Sequence, residues 1–285
     1  MQTINPNLPI GLFDSGVGGL TVLKAMREAM PRENYLYLGD NARLPYGSKS
    51  PGTITRYALQ AASLLVRRQV KLLVIACNTA SAVALPILKD AYPEIPVIGV
   101  IEPGAEAACT ASQTGKIAVI GTESTIRGEA YQRAIAAMRP EARVIAKACP
   151  LFVPMAEEGL VSGLLPRMVA EHYLNEIFGG SAKGLPDTLV LGCTHFPLLK
   201  DVIAEVIAAE TDGFTVSIVD SARTTAQKVE KLLTQGNGGP LAQPSDQSAG
   251  EVRYLTTDDV QPFVRMGSPF MGEAICAADV EMVDL

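Results

Sequence analysis

Short apolar runs, each followed by a helical pattern, recur along most of this chain, and they constrain its fold more than any other feature. Residues 10–13, 35–38, 72–76 and 97–100 read as strands. Between them, residues 19–30 carry Leu20, Leu23 and Met26 at three-residue steps, the spacing of a helix face. Residues 53–68 and 80–91 also read as helices, and the first ends in Arg67 and Arg68, the charge a helix C-terminus favours. The pattern restarts with a strand at 116–120 and a helix at 128–138. Strand–helix pairs follow at 188–191 with 198–209 and at 216–219 with 223–233. Residues 235–250, rich in Gly, Ser, Pro and Gln, read as an exposed loop. A strand at 252–256 and a short helix at 260–266 complete the pattern. Most of these strands are apolar on both faces, as in a parallel sheet covered by helices. The expected class is α/β, and 285 residues suit two domains, each with a mainly parallel sheet flanked by helices.

Composition narrows the function. A net charge of −6 argues against nucleic acid as a direct partner, because phosphate neutralisation needs a basic surface. Apolar residues at 48% and charged residues at 19% supply a large core and exclude disorder as an overall description. The longest uncharged window, residues 72–88, is short for a membrane span and contains Asn78, Thr79, Ser81 and Pro86. The first nine residues show neither the basic nor the apolar region of a signal peptide. Cys77, Cys109, Cys149, Cys193 and Cys276 are odd in number and widely spread, which suits free thiols in a cytoplasmic protein.

Two segments resemble each other. Leu72-Leu-Val-Ile-Ala-Cys-Asn-Thr79 and Thr188-Leu-Val-Leu-Gly-Cys-Thr-His195 each run from an apolar strand through a small residue to Cys and a polar residue. Each half of the chain thus offers a thiol at the carboxyl end of a strand, where open α/β sheets bind ligands. After Cys77, the polar triplet Asn78, Thr79 and Ser81 with its neighbours is expected to cap the next helix and leave amides for an anion. Beside Cys193, His195 could exchange protons with the thiol, and Pro197 suits a first helical turn. His172, in a helical stretch, reads as structural, as does Cys276; Cys109 and Cys149 have no comparable partners. A metal reading would use Cys193, His195 and Cys77, but this set lacks the tight pairs of a zinc site, so no metal is expected.

Asp14 lies in Gly11-Leu-Phe-Asp-Ser-Gly-Val-Gly-Gly-Leu20, whose spacing departs from the dinucleotide fingerprint and lacks a Gly-Lys-Ser/Thr ending. A small anion at the helix start fits better, with Asp14 either a helix cap or a catalytic carboxylate. The loop Arg43-Leu-Pro-Tyr-Gly-Ser-Lys-Ser50 could close over a small ligand, or be an ordinary turn. Gly121-Thr-Glu-Ser-Thr125, with Thr122 at its start, reads as a second anion loop after a strand.

Two thiols in two similar settings suit racemisation, which removes a proton from one face of a carbon and returns one to the other. One sulfur must be a thiolate and the other a thiol, and each needs a neighbour to manage its proton. Asp14 is the natural assistant of Cys77 and His195 that of Cys193. A fixed carboxylate disfavours a nearby thiolate, so Asp14 acts as a proton acceptor or orienter. None of these motifs places a lysine at a strand end for a pyridoxal Schiff base, and no cofactor is expected. Hydrogen bonds from backbone amides and from Ser15, Thr79 and Thr194 would then stabilise the carbanion.

Asp14-Ser15-Gly16, Pro45-Tyr46-Gly47, Ala76-Cys77-Asn78-Thr79 and Gly192-Cys193-Thr194-His195, in that order, together resemble the glutamate racemases of the aspartate/glutamate racemase family. The resemblance spans about residues 10–225 and implies cofactor-independent interconversion of L- and D-glutamate, which supplies D-glutamate for peptidoglycan. It implies that Cys77 and Cys193 are the two bases. It puts Asp14, Ser15, Pro45, Tyr46, Gly47, Asn78, Thr79, Thr194 and His195 at the substrate. Glu157, in Val153-Pro-Met-Ala-Glu157, falls on a family acidic residue and assists His195, with Glu158 adjacent to it. The implied fold is two pseudosymmetric α/β domains with the site in the cleft between them. The first holds residues 1–98 and 210–285, the second residues 99–209. A homodimer follows from the same resemblance.

Other readings stand beside this one. A relative acting on aspartate would share the motifs. A thiol hydrolase would use one Cys as nucleophile and His195 as its base, and would not need the second thiol. A non-catalytic amino-acid sensor would need neither.

Overall fold

The computed structural model describes residues 7–180, 184–211, 213–235 and 249–285. Contacts divide the chain into two compact units, Met1–Val100 with Ala222–Leu285, and Ile101–Ser221. The return to the first unit was expected at residue 210 and occurs at Ala222. The reason is a strand ladder: residues Ser217 to Asp220 pair with Thr188 to Leu191 and so stay with the second unit.

In chain order, the first unit holds β1 (Ile10–Asp14), α1 (Leu20–Ala29), β2 (Tyr35–Gly39), α2 (Pro51–Arg67), β3 (Leu72–Ile75), α3 (Asn78–Ala91) and β4 (Val97–Gly99). The second holds α4 (Ile101–Ala111), β5 (Lys116–Gly121), α5 (Glu123–Arg127), α6 (Ala130–Met138), β6 (Arg143–Ala148), α7 (Phe152–Glu157), α8 (Leu164–Phe178), β7 (Thr188–Gly192), α9 (Lys200–Glu210) and β8 (Ser217–Asp220). Then α10 (Ser221–Gln235), β9 (Val252–Thr256), α11 (Val260–Met271) and β10 (Val280–Met282) follow.

The first unit's sheet has the order β10-β9-β2-β1-β3-β4 and the second's β6-β5-β7-β8. Every ladder among the described residues is parallel. The interior strands explain this. All residues of β1, β2, β3 and β7 are buried, so both faces of each strand are covered by apolar neighbours. Phe13, Leu38, Ile54, Leu65, Ile75 and Leu88 belong to one core of the first unit. Ile120, Phe152, Phe178, Leu191 and Ile203 belong to that of the second. Among the described residues, no helix is long and apolar enough to cross a membrane.

Several elements lie outside the sequence expectations. β6 is an edge strand with alternately exposed residues, so Arg143 and Lys147 hide its apolar signal. α4 holds Pro103 and Gly104 in its first turn, where proline is tolerated although the pair reads as a turn. α8 exposes Leu164, Leu165 and Met168, so its apolar residues lack a clear stripe. The helix expected at 128–138 is present from Ala130, after Glu129 takes φ +50°, and the short α5 before it is a separate element that was not expected. Most of the loop expected at 235–250 lies outside the described residues.

Register places the chemistry. Phe13 pairs with Ile75 and Asp14 with Gly39, so Asp14, Asp40 and Cys77 gather at the carboxyl edge of the first sheet. In the second sheet Gly121 pairs with both Gly192 and Ala148, which sets Thr122, Cys193 and Cys149 just beyond the same edge.

Candidate active site

In the first unit, Cys77 leaves β3 with extended backbone and is itself the N-cap of α3. The Ala80 N–H donates to Sγ over 3.4 Å. The sequence assigned this cap to the polar residues after the thiol; instead the sulfur takes the position that a Ser or Asp oxygen usually fills. The Cys77 thiol also donates to Ser15 Oγ at 3.7 Å. The Tyr46 ring belongs to the same buried cluster as Cys77.

Asp14 ends β1 and is almost fully buried. Its Oδ2 accepts from Gly16 N–H at 3.2 Å and Gly19 N–H at 3.0 Å. Two amides that the glycine-rich loop was expected to offer an external anion are thus taken by the chain's own carboxylate. The glycine at 19 is required by space: a Cβ there would sit 2.6 Å from the Asp14 Cβ and 3.0 Å from the Ala76 Cβ. Burial, and then the Asp14 charge, push the Cys77 thiol well above the ordinary range. Hydrogen bonds from Ala80 and Ser15 oppose them and lose. This thiol rests protonated, next to a carboxylate able to receive its proton.

Pro45, Tyr46 and Gly47 lie in the turn between β2 and α2. Tyr46 is fully buried, and its hydroxyl donates to Asp40 Oδ2. Its side chain is therefore committed to the protein, and what it can offer a ligand is the main chain. Asn78 and Thr79 occupy the first turn of α3, both buried.

In the second unit, Cys193 follows β7 directly, and its Sγ lies 3.8 Å from His195 Nδ1. The other ring nitrogen, Nε2, lies 3.1 Å from Glu157 Oε1. Glu157 is the last residue of α7, and it reaches His195 from there; no hydrogen bond links Glu158 to the imidazole among those described. Aromatic packing fixes the approach. Phe152, at the start of α7, meets Phe196, the neighbour of His195, edge-to-face at 5.2 Å, and Tyr173 at 5.3 Å.

His195 is 7% exposed. Burial works against its cation, but hydrogen bonds to Cys193 and Glu157 outweigh burial and raise its pKa from 6.5 to about 10. At neutral pH this imidazole holds a proton beside the Cys193 sulfur. Thr122 caps α5 by accepting from Thr125 N–H, and it sits one residue beyond the Gly121–Gly192 pair. Thr194 is buried between Cys193 and His195. Tyr131 backs this half-site, with its ring 3.0 Å from where a Cβ on Gly192 would lie, a role that no motif in the sequence signals.

Of the remaining thiols, Cys149 shares the buried cluster of Cys193. It is buried one residue beyond β6, and that burial pushes its pKa up to about 12. Cys276, expected to be structural, is exposed. Among the described residues, no group of three or more His, Cys, Asp or Glu side chains could hold a metal ion.

Comparison with known proteins bears on the family and the fold. A family model described as Asp/Glu/Hydantoin racemase matches residues 10–229. A curated glutamate racemase from Geobacter metallireducens is 50% identical over 276 residues, covering 97% of this chain and 96% of the relative. The crystal structure of glutamate racemase from Francisella tularensis in complex with D-glutamate matches with a TM-score of 0.86 at 36% identity, covering 98% of both chains. A glutamate racemase isoform from Bacillus anthracis matches with a TM-score of 0.87 at 35% identity, again over 98% of both chains.

Proposed function

Because the chain belongs to the Asp/Glu/hydantoin racemase family, we propose that it interconverts L-glutamate and D-glutamate by a two-base exchange of the α-proton. One observation carries the mechanism. Each unit ends a buried parallel strand in a thiol, and the two thiols have proton partners of opposite kind: the Asp14 carboxylate at Cys77 and the protonated His195 at Cys193.

In this reading one sulfur, as thiolate, takes the α-proton from one face of the substrate carbon. The electron pair passes into the α-carboxylate as an enediolate, and the other sulfur, as thiol, delivers its proton to the opposite face. The reverse reaction exchanges the roles. Cys77 becomes a thiolate by passing its proton to Asp14. His195 exchanges protons with Cys193, and Glu157 holds the imidazole in place and balances its charge. Hydroxyls of Ser15, Thr79, Thr122 and Thr194, the Asn78 amide, and backbone N–H groups near Pro45, Tyr46 and Gly47 hold the substrate and stabilise the carbanion. No cofactor or metal enters a step. The same family reading makes the protein a cytoplasmic homodimer that supplies D-glutamate for peptidoglycan.

A second reading has one specific observation behind it: Cys193, His195 and Glu157 are linked as in a thiol hydrolase. It leaves Cys77 idle, and so the same test separates the two. The protein is incubated with L-glutamate in D₂O, and the α-proton resonance and the circular dichroism are followed. Loss of both signals is expected, and neither the Cys77→Ser nor the Cys193→Ser variant should racemise. Normal racemisation by either variant would overturn the two-base assignment. A folded protein that leaves the α-proton in place would overturn the glutamate reading.

A further inference from the structure

Asp40 is fully buried, one residue beyond β2, and the chemistry proposed above makes no use of it. Its carboxylate is the meeting point of three donors, two from the loop that follows it and one from the far end of the chain. Tyr46 donates its hydroxyl to Oδ2. The Arg43 Nε lies 2.8 Å from Oδ2 and 3.0 Å from Oδ1. Thr257, immediately after β9, donates its hydroxyl to Oδ1 at 2.9 Å.

Each of these partners is itself held. Arg43 lies 4.3 Å from the centre of the Tyr57 ring and donates to Gln60 Oε1 at 2.6 Å. Tyr57 in turn packs on Tyr46, with ring centres 5.7 Å apart. The Thr257 hydroxyl oxygen also accepts from Ala42 N–H at 3.0 Å, and the Thr257 N–H donates to Gly39 O at 3.2 Å. At its other end Asp40 donates its own N–H to the Asp14 carbonyl at 3.0 Å. The loop from Asp40 to Tyr46 is thus clamped on one carboxylate, and that clamp is joined by backbone to the residue beside Cys77.

We propose that Asp40, with Thr257, is a positioning residue that holds the Pro45-Tyr46-Gly47 loop in the conformation that binds the substrate. The inference rests on the racemase reading, since it assigns that loop to the substrate. Asp40 touches no reacting atom in this scheme. It fixes the Tyr46 ring, which packs in the cluster containing Cys77, and with it the backbone amides of the loop. Loosening the clamp should therefore weaken substrate binding more than it slows turnover at Cys77.

The test uses the whole protein and steady-state racemisation of L-glutamate. Asp40→Asn keeps the shape and removes the charge, so donors face an amide. KM should rise about tenfold or more, the usual cost of a hydrogen bond to a charged group, while kcat stays within about threefold. Thr257→Val is isosteric and changes no charge, so it remains informative if Asp40→Asn folds poorly. It should move KM in the same direction by a smaller factor. Tyr46→Phe added to Asp40→Asn should raise KM little further, because both changes break one link. A purely structural role would lower the thermal midpoint and the active fraction, reducing kcat with KM unchanged. That result, or a wild-type KM in both single variants, would overturn the proposal and leave the racemase reading intact. A wild-type protein that does not exchange the glutamate α-proton would overturn both.

Discussion

Replacing Glu157 by Gln tests the proton chemistry at Cys193 without emptying space. The amide can still accept from His195 Nε2, so geometry survives and only the charge is lost. His195 now stands near pH 10 against an ordinary value of 6.5. That difference corresponds to at most about 5 kcal/mol, shared between Cys193 and Glu157. If the variant brings the imidazole back to 6.5, its protonated fraction at pH 8 falls from nearly all to roughly 3%. Racemisation at pH 8 should then fall by up to about thirtyfold, less where Cys193 alone keeps part of the shift, and recover as the pH is lowered towards 6.

Stability gives an independent readout of the same residue. A histidine whose folded pKa is raised binds more protons in the native state than in the unfolded chain. Its contribution is complete below about 6.5 and disappears as pH rises through about 10. Urea midpoints of the wild type should therefore decline between these values, and those of Glu157→Gln should decline less. NMR reads the imidazole directly, because the chain has only two histidines and a His172→Gln variant assigns them. A His195 resonance that titrates at the same pH in wild type and variant would refute the reasoning, whatever the activity.

Asp14→Asn removes the charge that helps hold Cys77 protonated, so thiolate absorbance near 240 nm should appear at lower pH than in wild type. Racemisation should nevertheless fall, because the proton acceptor is gone; unchanged or faster turnover would remove Asp14 from that role. Gly19→Ala should cost roughly 1–3 kcal/mol in urea denaturation and lower activity, since the new methyl group presses on Asp14 and Ala76. Wild-type stability there would mean that the turn yields freely. Cys276→Ser should leave racemisation unchanged and remove the thiol that reacts first with an alkylating reagent, because Cys276 is exposed while Cys77 and Cys193 are each 5% exposed.

The sequence shows most where burial is two-sided and least where it is one-sided. β1, β2, β3 and β7 are buried throughout and, apart from the terminal Asp14 and Thr188, carry no polar side chain other than the tyrosine hydroxyls of β2, so their runs are visible without any structure. β6, exposed on alternate residues, and α8, with leucines on its outer face, carry no such contrast. The half-sites divide in the same way. Cys77 with Ser15 and Asp14, and Cys193 with His195, sit at strand ends that the apolar pattern locates. Glu157 depends on where α7 stops, a boundary that sequence pattern fixes poorly. Asp40 and Thr257 are separated by 217 positions, and their bond leaves no local signature in either segment.

The two similar segments diverge at one structural step, and that step decides their chemistry. After β3 the helix begins at once, so Cys77 is the N-cap and its sulfur receives the Ala80 amide. No residue remains between thiol and helix to carry a proton donor, and the partner comes from β1 as the Asp14 carboxylate. After β7 the chain delays: a 3₁₀ turn spans Phe196–Leu199, and α9 starts only at Lys200. The delay leaves room for Thr194 and His195 beside Cys193, and α7 places Glu157 where it keeps that imidazole protonated. Two strand-end thiols thus acquire a carboxylate neighbour in one unit and a protonated imidazole in the other, following the distance between strand and helix. In the two-base proposal the roles exchange between directions, so each thiol must both take and return a proton, and the two would do so through different partners.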